Sequence, residues 1–149
     1  MSNIDLIREL REMTQMSFGQ IRSALEEASG DREKALAILK EKGAAIAQKK
    51  SARSTGEGII DSYLHSNKKI AAMVELLCET DFVARNPEFL NLAHEISMHI
   101  VAMDPADEAE LLAQPFVKDA SMTVQDLIHQ AVGKLGENIK IGAFARLQI

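Results

Sequence analysis

Apolar residues recur at helical spacing through the first third of the chain, and the period then changes to two. Ile4, Leu6, Ile7, Leu10 and Met13 mark a first helix, with Asn3 or Ser2 as its cap. Ser17 and Gln20 form a capping-box pattern ahead of Phe18, Ile21, Ala24, Leu25 and Ala28, which predicts a second helix ending at Gly30. Asp31 is the expected cap of a third, striped by Ala35, Leu36, Ile38 and Leu39 and terminated at Gly43. From Gly58 the pattern alternates. Ile59 to His65 and Ile70 to Glu79 read as two strands joined by the polar turn Ser66 to Lys69. On the second strand Ile70, Ala72, Val74, Leu76 and Cys78 share one face. Asn86 and Pro87 open a long amphipathic helix, Glu88 to Met103, which Asp104-Pro105 ends. A short acidic segment, Asp107 to Gln114, precedes a helix starting at Ser121 or Thr123 and carrying Val124, Leu127, Ile128, Ala131, Val132 and Leu135. Gly136-Glu137-Asn138 then turns the chain into a last strand, Ile139 to Ile149.

Three helices of this size joined by tight turns resemble a ubiquitin-associated (UBA) domain. The stretch from Ala44 to Gly58 is rich in Ala, Lys, Ser and Gly and reads as a helix tail running into a linker. The expected division is a three-helix UBA-like domain at 1–47, a linker at 48–57 and a core domain at 58–149. The fold class is therefore α+β: an N-terminal three-helix bundle followed by a small, mostly antiparallel sheet packed with helices. No internal repeat or low-complexity tract interrupts it.

Composition narrows the functional classes. A hydrophobic share of 46% with 26% charged residues fits a globular protein, and 4% aromatics with no Trp leaves Ala, Leu and Ile to fill the core. The net charge of −5 argues against a general nucleic-acid binder, which needs a basic surface for phosphates. The basic run Lys49, Lys50 and Arg53 is short and has no interleaved aromatics, so it reads as a solvated linker. With Cys78 as the one cysteine, no intramolecular disulfide forms, which fits a reducing compartment. Met1 to Asp5 lacks the pattern of a signal peptide, and no run approaches the ~18 apolar residues of a membrane span. A cytoplasmic protein without membrane association is the expectation.

Chemical candidates are sparse. His94, Glu95 and His99 lie on one helix, but the histidines are five residues apart, and the zinc-protease pattern needs four. That interval rotates the second imidazole off the face of the first, and no third ligand has suitable spacing. Cys78 sits on the apolar face of a strand with no electropositive surround, so its thiol is expected to stay protonated and inert. No Gly-rich phosphate loop, Gly-x-Ser-x-Gly or paired Cys motif is present. Gly136 reads as a helix terminator and Asn138 as a turn residue. The expectation is no enzyme, no metal and no cofactor.

The segment Thr80-Asp81-Phe82-Val83-Ala84-Arg85-Asn86 lies at the corner between the second strand and the long helix. By itself it reads as a capping Asp and a buried Phe. Its sequence, however, resembles the most recognisable motif of bacterial elongation factor Ts. Other segments match that family in order: Leu10-Arg11-Glu12-Met13-Thr14, Gly30-Asp31 with Ala35, Gln114 to Asp119, and Ile128 followed by Lys134 to Ile139.

The resemblance implies guanine-nucleotide exchange on elongation factor Tu. In the family, the N-terminal domain and core together hold the nucleotide-binding domain of that partner, in GDP-bound and nucleotide-free states. The motif's Asp and Phe, here Asp81 and Phe82, intrude near its magnesium and phosphate site. Partner contacts carried over are Thr80, Asp81, Phe82, Val83, Arg85 and Asn86, with Leu10, Thr14 and Phe18 from the helical domain. The alternative is a UBA-like module that binds a peptide or helix without exchange activity. Three departures stand out. Thr14-Gln15-Met16-Ser17-Phe18-Gly19-Gln20 replaces the family's usual Thr-Gly-x-Gly-Met-Met-Asp. Gly142-Ala143 replaces an Arg pair. A helical segment and a second core subdomain are missing. An open edge on the last strand, with Lys140 and Arg146 as its charges, leads to the expectation of a homodimer.

Overall fold

The computed structural model describes residues 2–149. Three helices come first: α1 (Asn3–Thr14), α2 (Phe18–Glu27) and α3 (Arg32–Lys50). Ser2 with Asp5 and Ser17 with Gln20 close capping boxes, so the first two helices start where their hydroxyls satisfy free backbone N–H groups. Asp31 caps α3. Leu10, Ile21, Leu25, Ala35, Leu36 and Leu39 bury their side chains in one small cluster, the bundle's own core.

Gly43 does not end the third helix. The helix runs through it to Lys50 because Ala44, Ala45, Ile46 and Ala47 sustain helical geometry. Gly43 serves packing instead: a Cβ there would lie 3.4 Å from Cε of Met16, in the turn between α1 and α2. Ala47, one turn further on, already belongs to the second, larger hydrophobic cluster.

That cluster is built on strands β1 (Glu57–Leu64), β2 (Ile70–Cys78) and β5 (Lys140–Gln148), an antiparallel sheet in the order β1-β2-β5. The alternation read from the sequence holds on β2. Ala72, Val74, Leu76 and Cys78 are buried, and Met73 on the other face is exposed. One face of the sheet is covered by α5 (Pro87–Met103), whose Phe89, Ala93, Ile96 and Ile100 are completely buried. Asn86 caps α5 and Pro87 occupies its first position; Asp104 ends it in the left-handed region.

Between α5 and the last strand the chain carries more structure than its sequence pattern predicts. The acidic segment forms α6 (Glu108–Ala113), capped by Asp107 and anchored by the buried Leu111. A two-stranded hairpin, β3 (Pro115–Phe116) and β4 (Asp119–Thr123), follows. Thr123 and Asp126 then close a capping box on α7 (Val124–Leu135), and Gly136 ends it at φ 77°. Helix α7 packs against both α3 and α5, so it stands between the bundle and the sheet. Polar ties cross the same boundary: Lys40 Nζ donates to Ser121 O at 2.7 Å, and Gln130 Nε2 donates to Met13 O at 2.5 Å. Among the described residues no helix is long and apolar enough to cross a membrane.

Candidate functional site

The corner after β2 is a single helical turn, α4 (Asp81–Ala84), set between two caps. Thr80 is its N-cap: the backbone is extended and Oγ1 accepts from Val83 N at 3.4 Å. Arg85 closes the turn, and Asn86 begins α5 at once. A turn this short has one face toward the protein and one toward solvent. Ala84 is buried and Val83 packs against the main core. Asp81, Phe82 and Arg85 face outward.

Phe82 is 76% exposed, more than Phe18 at 55%. The buried reading of this aromatic is therefore replaced, because Val83 and Ala84 fill the turn's inward face and leave Phe82 on the other. The capping reading of Asp81 is replaced too, since Thr80 caps this turn and Asn86 the next helix. Asp81 instead pairs with Arg85 at 2.8 Å, and the Arg85 guanidinium lies 5.8 Å from the Phe82 ring centroid. The three side chains form an exposed acid–aromatic–base group. Surface pairs of this kind add little to stability, so the Asp81–Arg85 pair is free to open against a partner.

The remaining candidates separate. Leu10 is completely buried and Thr14 nearly so, with Thr14 Oγ1 donating to Leu10 O at 2.7 Å. They hold the bundle together and present little surface. Phe18 is exposed beside a groove of about 480 Å³ lined by Ile7, Arg22 and Leu25 among others. His94 and His99 turn to different partners. His94 Nδ1 meets Asp61 Oδ2 at 3.0 Å, while His99 is buried between Gln114 and the backbone of Val117. Cys78 is buried, its thiol held up from the usual range by burial first and then by the negative charge of Glu137.

Sequence reasoning missed what supports the corner. Glu137, in the loop after α7, reaches across to the end of β2. Its Oε1 accepts from Glu79 N at 3.1 Å and Thr80 N at 3.0 Å, and its Oε2 accepts from Thr80 Oγ1 at 2.7 Å. Glu79 returns the bond, accepting from Asn138 N at 3.0 Å. Asn138, 3% exposed, donates to the carbonyls of Ser51 and Arg53. The sequence signal was a Glu and an Asn side by side in a tight loop where turn chemistry needs only the Gly.

A three-helix bundle joined to a small antiparallel sheet, with an exposed acid–aromatic turn at one corner, defines a two-part α+β scaffold. The family model described as Elongation factor TS matches residues 79–149, which holds both the corner and the loop that supports it. Elongation factor Ts of Thermosipho melanesiensis is 37% identical over 194 aligned positions, covering 100% of this chain and 99% of the relative. That of Fervidobacterium nodosum is 39% identical, with 97% and 96% covered, and that of Solidesulfovibrio magneticus 37%, with 96% and 94%. The chain belongs to the elongation factor Ts family. An alignment of 194 positions against 149 residues means that the relative carries segments with no counterpart here.

Proposed function

We propose that this chain promotes GDP release from elongation factor Tu by inserting Asp81 and Phe82 near the partner's magnesium–phosphate site. The observation that carries this reading is the exposure of Phe82 on a turn whose other face is anchored. A bulky ring carried outward on an anchored turn can displace partner side chains. Mg²⁺ tolerates little displacement of its octahedral ligands, and the carboxylate of Asp81 adds repulsion or reorientation nearby. Exchange follows by linkage: a factor that weakens GDP binding is itself bound more weakly when GDP is present, so GDP-bound and nucleotide-free partner are both visited.

Thr80, Val83 and Asn86 shape the corner in this reading, and Arg85 holds Asp81 until contact. Phe18 supplies a second contact from the bundle, whose fold Leu10 and Thr14 maintain from its interior. The two hydrophobic clusters support a bundle followed by a core, but not the expected bounds of 1–47, 48–57 and 58–149: Ala47 packs in the core's cluster and residues 48–50 are still helix α3. A cytoplasmic site of action fits this partner. The test is stopped-flow release of fluorescent GDP from elongation factor Tu. Phe82→Ala is expected to slow release more than it weakens complex formation, and Asp81→Ala to act likewise but less. Release by Phe82→Ala at the wild-type rate refutes the wedge.

We propose further that two copies pair through the sheet. Both β1 and β5 are edges, and the face away from α5 carries Ile60, Leu64, Met73 and Leu147 exposed to solvent. Leu64, Ala71 and Leu147 stand in one row across the three strands. A contiguous apolar row next to an open edge favours a symmetric partner. Sedimentation equilibrium at micromolar concentration is expected to give twice the chain mass; a mass fixed at one chain across the range refutes pairing.

A further inference from the structure

The end of β2 and the loop after α7 lie far apart in sequence, yet they hold each other by carboxylates in both directions. Glu137 gathers three donors: two successive backbone N–H groups, from Glu79 and Thr80, and the Thr80 hydroxyl. Glu79 gathers the N–H of Asn138 from the opposite side. Two carboxylates serving adjacent residues in this way carry like charge, so the arrangement has a cost. That cost is offset by the converging N–H dipoles and by Arg53, whose Nη1 lies 3.7 Å from Glu79 Oε2. Ordinary strand termination needs none of this, because water satisfies a free N–H at a strand end.

The bonds fall on the residue that launches the contact turn. Thr80 is fixed through its N–H and its hydroxyl, and the same hydroxyl oxygen caps α4 by accepting from Val83 N. With its hydrogen committed to Glu137, the Thr80 hydroxyl has its lone pairs directed at the turn. Glu137 therefore sets where α4 starts and how it is oriented. Phe82 is two residues beyond Thr80 and lies outside the hydrophobic core that would orient it independently: the ring is exposed, and the guanidinium over it belongs to the exposed Arg85. The backbone of the turn alone aims it.

We propose that Glu137 is a positioning residue for nucleotide exchange, acting through Thr80 to aim Phe82 at the partner. This rests on the exchange reading above and adds to it a residue that does not touch the partner's nucleotide site. Placement matters steeply for a group that must wedge into a site, where a shift of about 1 Å can cost up to about a hundred-fold in rate. Lost anchoring at Thr80 lets the turn explore other orientations, and only a fraction of encounters then carry the ring to its target.

The experiment measures GDP release from elongation factor Tu across factor concentration, giving a maximal rate and a half-saturation point, for wild type, Glu137→Ala, Glu137→Gln, Phe82→Ala and the double variant Glu137→Ala/Phe82→Ala. Glu137→Ala is expected to lower the maximal rate about ten-fold, with faster amide exchange at Thr80 to Val83. In the Phe82→Ala background the same substitution is expected to add almost nothing, because the group it aims is gone. Glu137→Gln keeps one acceptor oxygen for the two N–H groups and is expected to lose about three-fold; it carries the test if the alanine variant fails to fold. A merely structural Glu137 would lower the thermal midpoint equally in both backgrounds and leave the maximal rate of the folded protein intact. That result, with Phe82→Ala slow, overturns the positioning role and leaves the exchange reading standing. A wild-type rate for Phe82→Ala itself overturns both.

Discussion

Gly58 is where the linker enters β1, and replacing it by Ala should damage the sheet from within. Its φ of 157° lies in a region that side-chain-bearing residues rarely adopt, and it pairs in register with Leu77 on the central strand. A Cβ added at Gly58 would stand 2.9 Å from Leu77 Cα and 3.1 Å from Leu77 Cδ2, with the Leu76 carbonyl oxygen nearer still. These are mostly backbone atoms of a strand held on both sides, so the neighbour cannot swing away. Backbone strain of this kind costs about 1–3 kcal/mol. Parting the first rungs of the β1–β2 ladder forfeits about 1 kcal/mol per hydrogen bond. The expected loss is about 3 kcal/mol, which at an m-value of about 2 kcal/mol/M moves the urea midpoint down by about 1.5 M. Gly56→Ala is the internal control: a Cβ there meets nothing within 4 Å. Equilibrium urea unfolding followed by circular dichroism reads both. A midpoint for Gly58→Ala within experimental error of Gly56→Ala would refute the steric reasoning.

Two further outcomes are expected. His99 accepts from Val117 N at 3.2 Å through Nδ1, so its proton sits on Nε2 and is donated to Gln114 Oε1 at 2.9 Å. Burial depresses its pKa below the ordinary value, and burial does the same at His129, against a smaller opposing pull from Asp126. Groups held neutral in this way contribute stability that is complete above the unfolded value of about 6.5 and is lost as pH falls through the lowered folded value. Urea midpoints measured from pH 7.5 down to 5 should therefore fall, and more steeply for wild type than for His99→Gln; equal slopes would contradict the buried neutral imidazole. Cys78→Ser exchanges a thiol that donates to Thr80 O at 3.2 Å for a hydroxyl that keeps the bond in an apolar site. It should cost about 1–2 kcal/mol of stability and leave GDP release unchanged; a folded variant that releases GDP slowly would speak against an inert thiol.

The parts of the fold that follow from short-range rules were readable before any coordinates. Ser17 with Gln20, Asn86 with Pro87, and Gly136 each do what their chemistry requires locally. The buried face of β2 follows from its period of two. Gly43 was misread because a glycine inside a helix and one at its end look alike until Met16 is seen against it. Helix α6 and the β3–β4 hairpin escaped because each is too short to show a period. At the site, the exposed turn was singled out by its resemblance, while the segment alone pointed to a buried Phe82. The Glu79–Glu137 pairing stayed hidden because its partners are separated by 58 residues in the chain. Nothing in local pattern distinguishes a Glu that faces water from one that receives three donors.

Helix α3 has a consequence of its own. Its 19 residues, about 28 Å at ~1.5 Å per residue, begin in the bundle core with Ala35, Leu36 and Leu39 and reach the main core at Ala47. It works as a keyed shaft: one residue inserted between Gly43 and Ala47 would turn the bundle by about 100° and advance it about 1.5 Å. Lys40 would leave Ser121, Gln130 would lose the carbonyl of Met13, and Phe18 would swing to another side of the molecule. Added residues after Arg53, beyond the carbonyls that Asn138 holds, would turn nothing. Chain length is thus free to vary in the linker, while in the shaft each residue is a fixed angular step between Phe18 and Phe82.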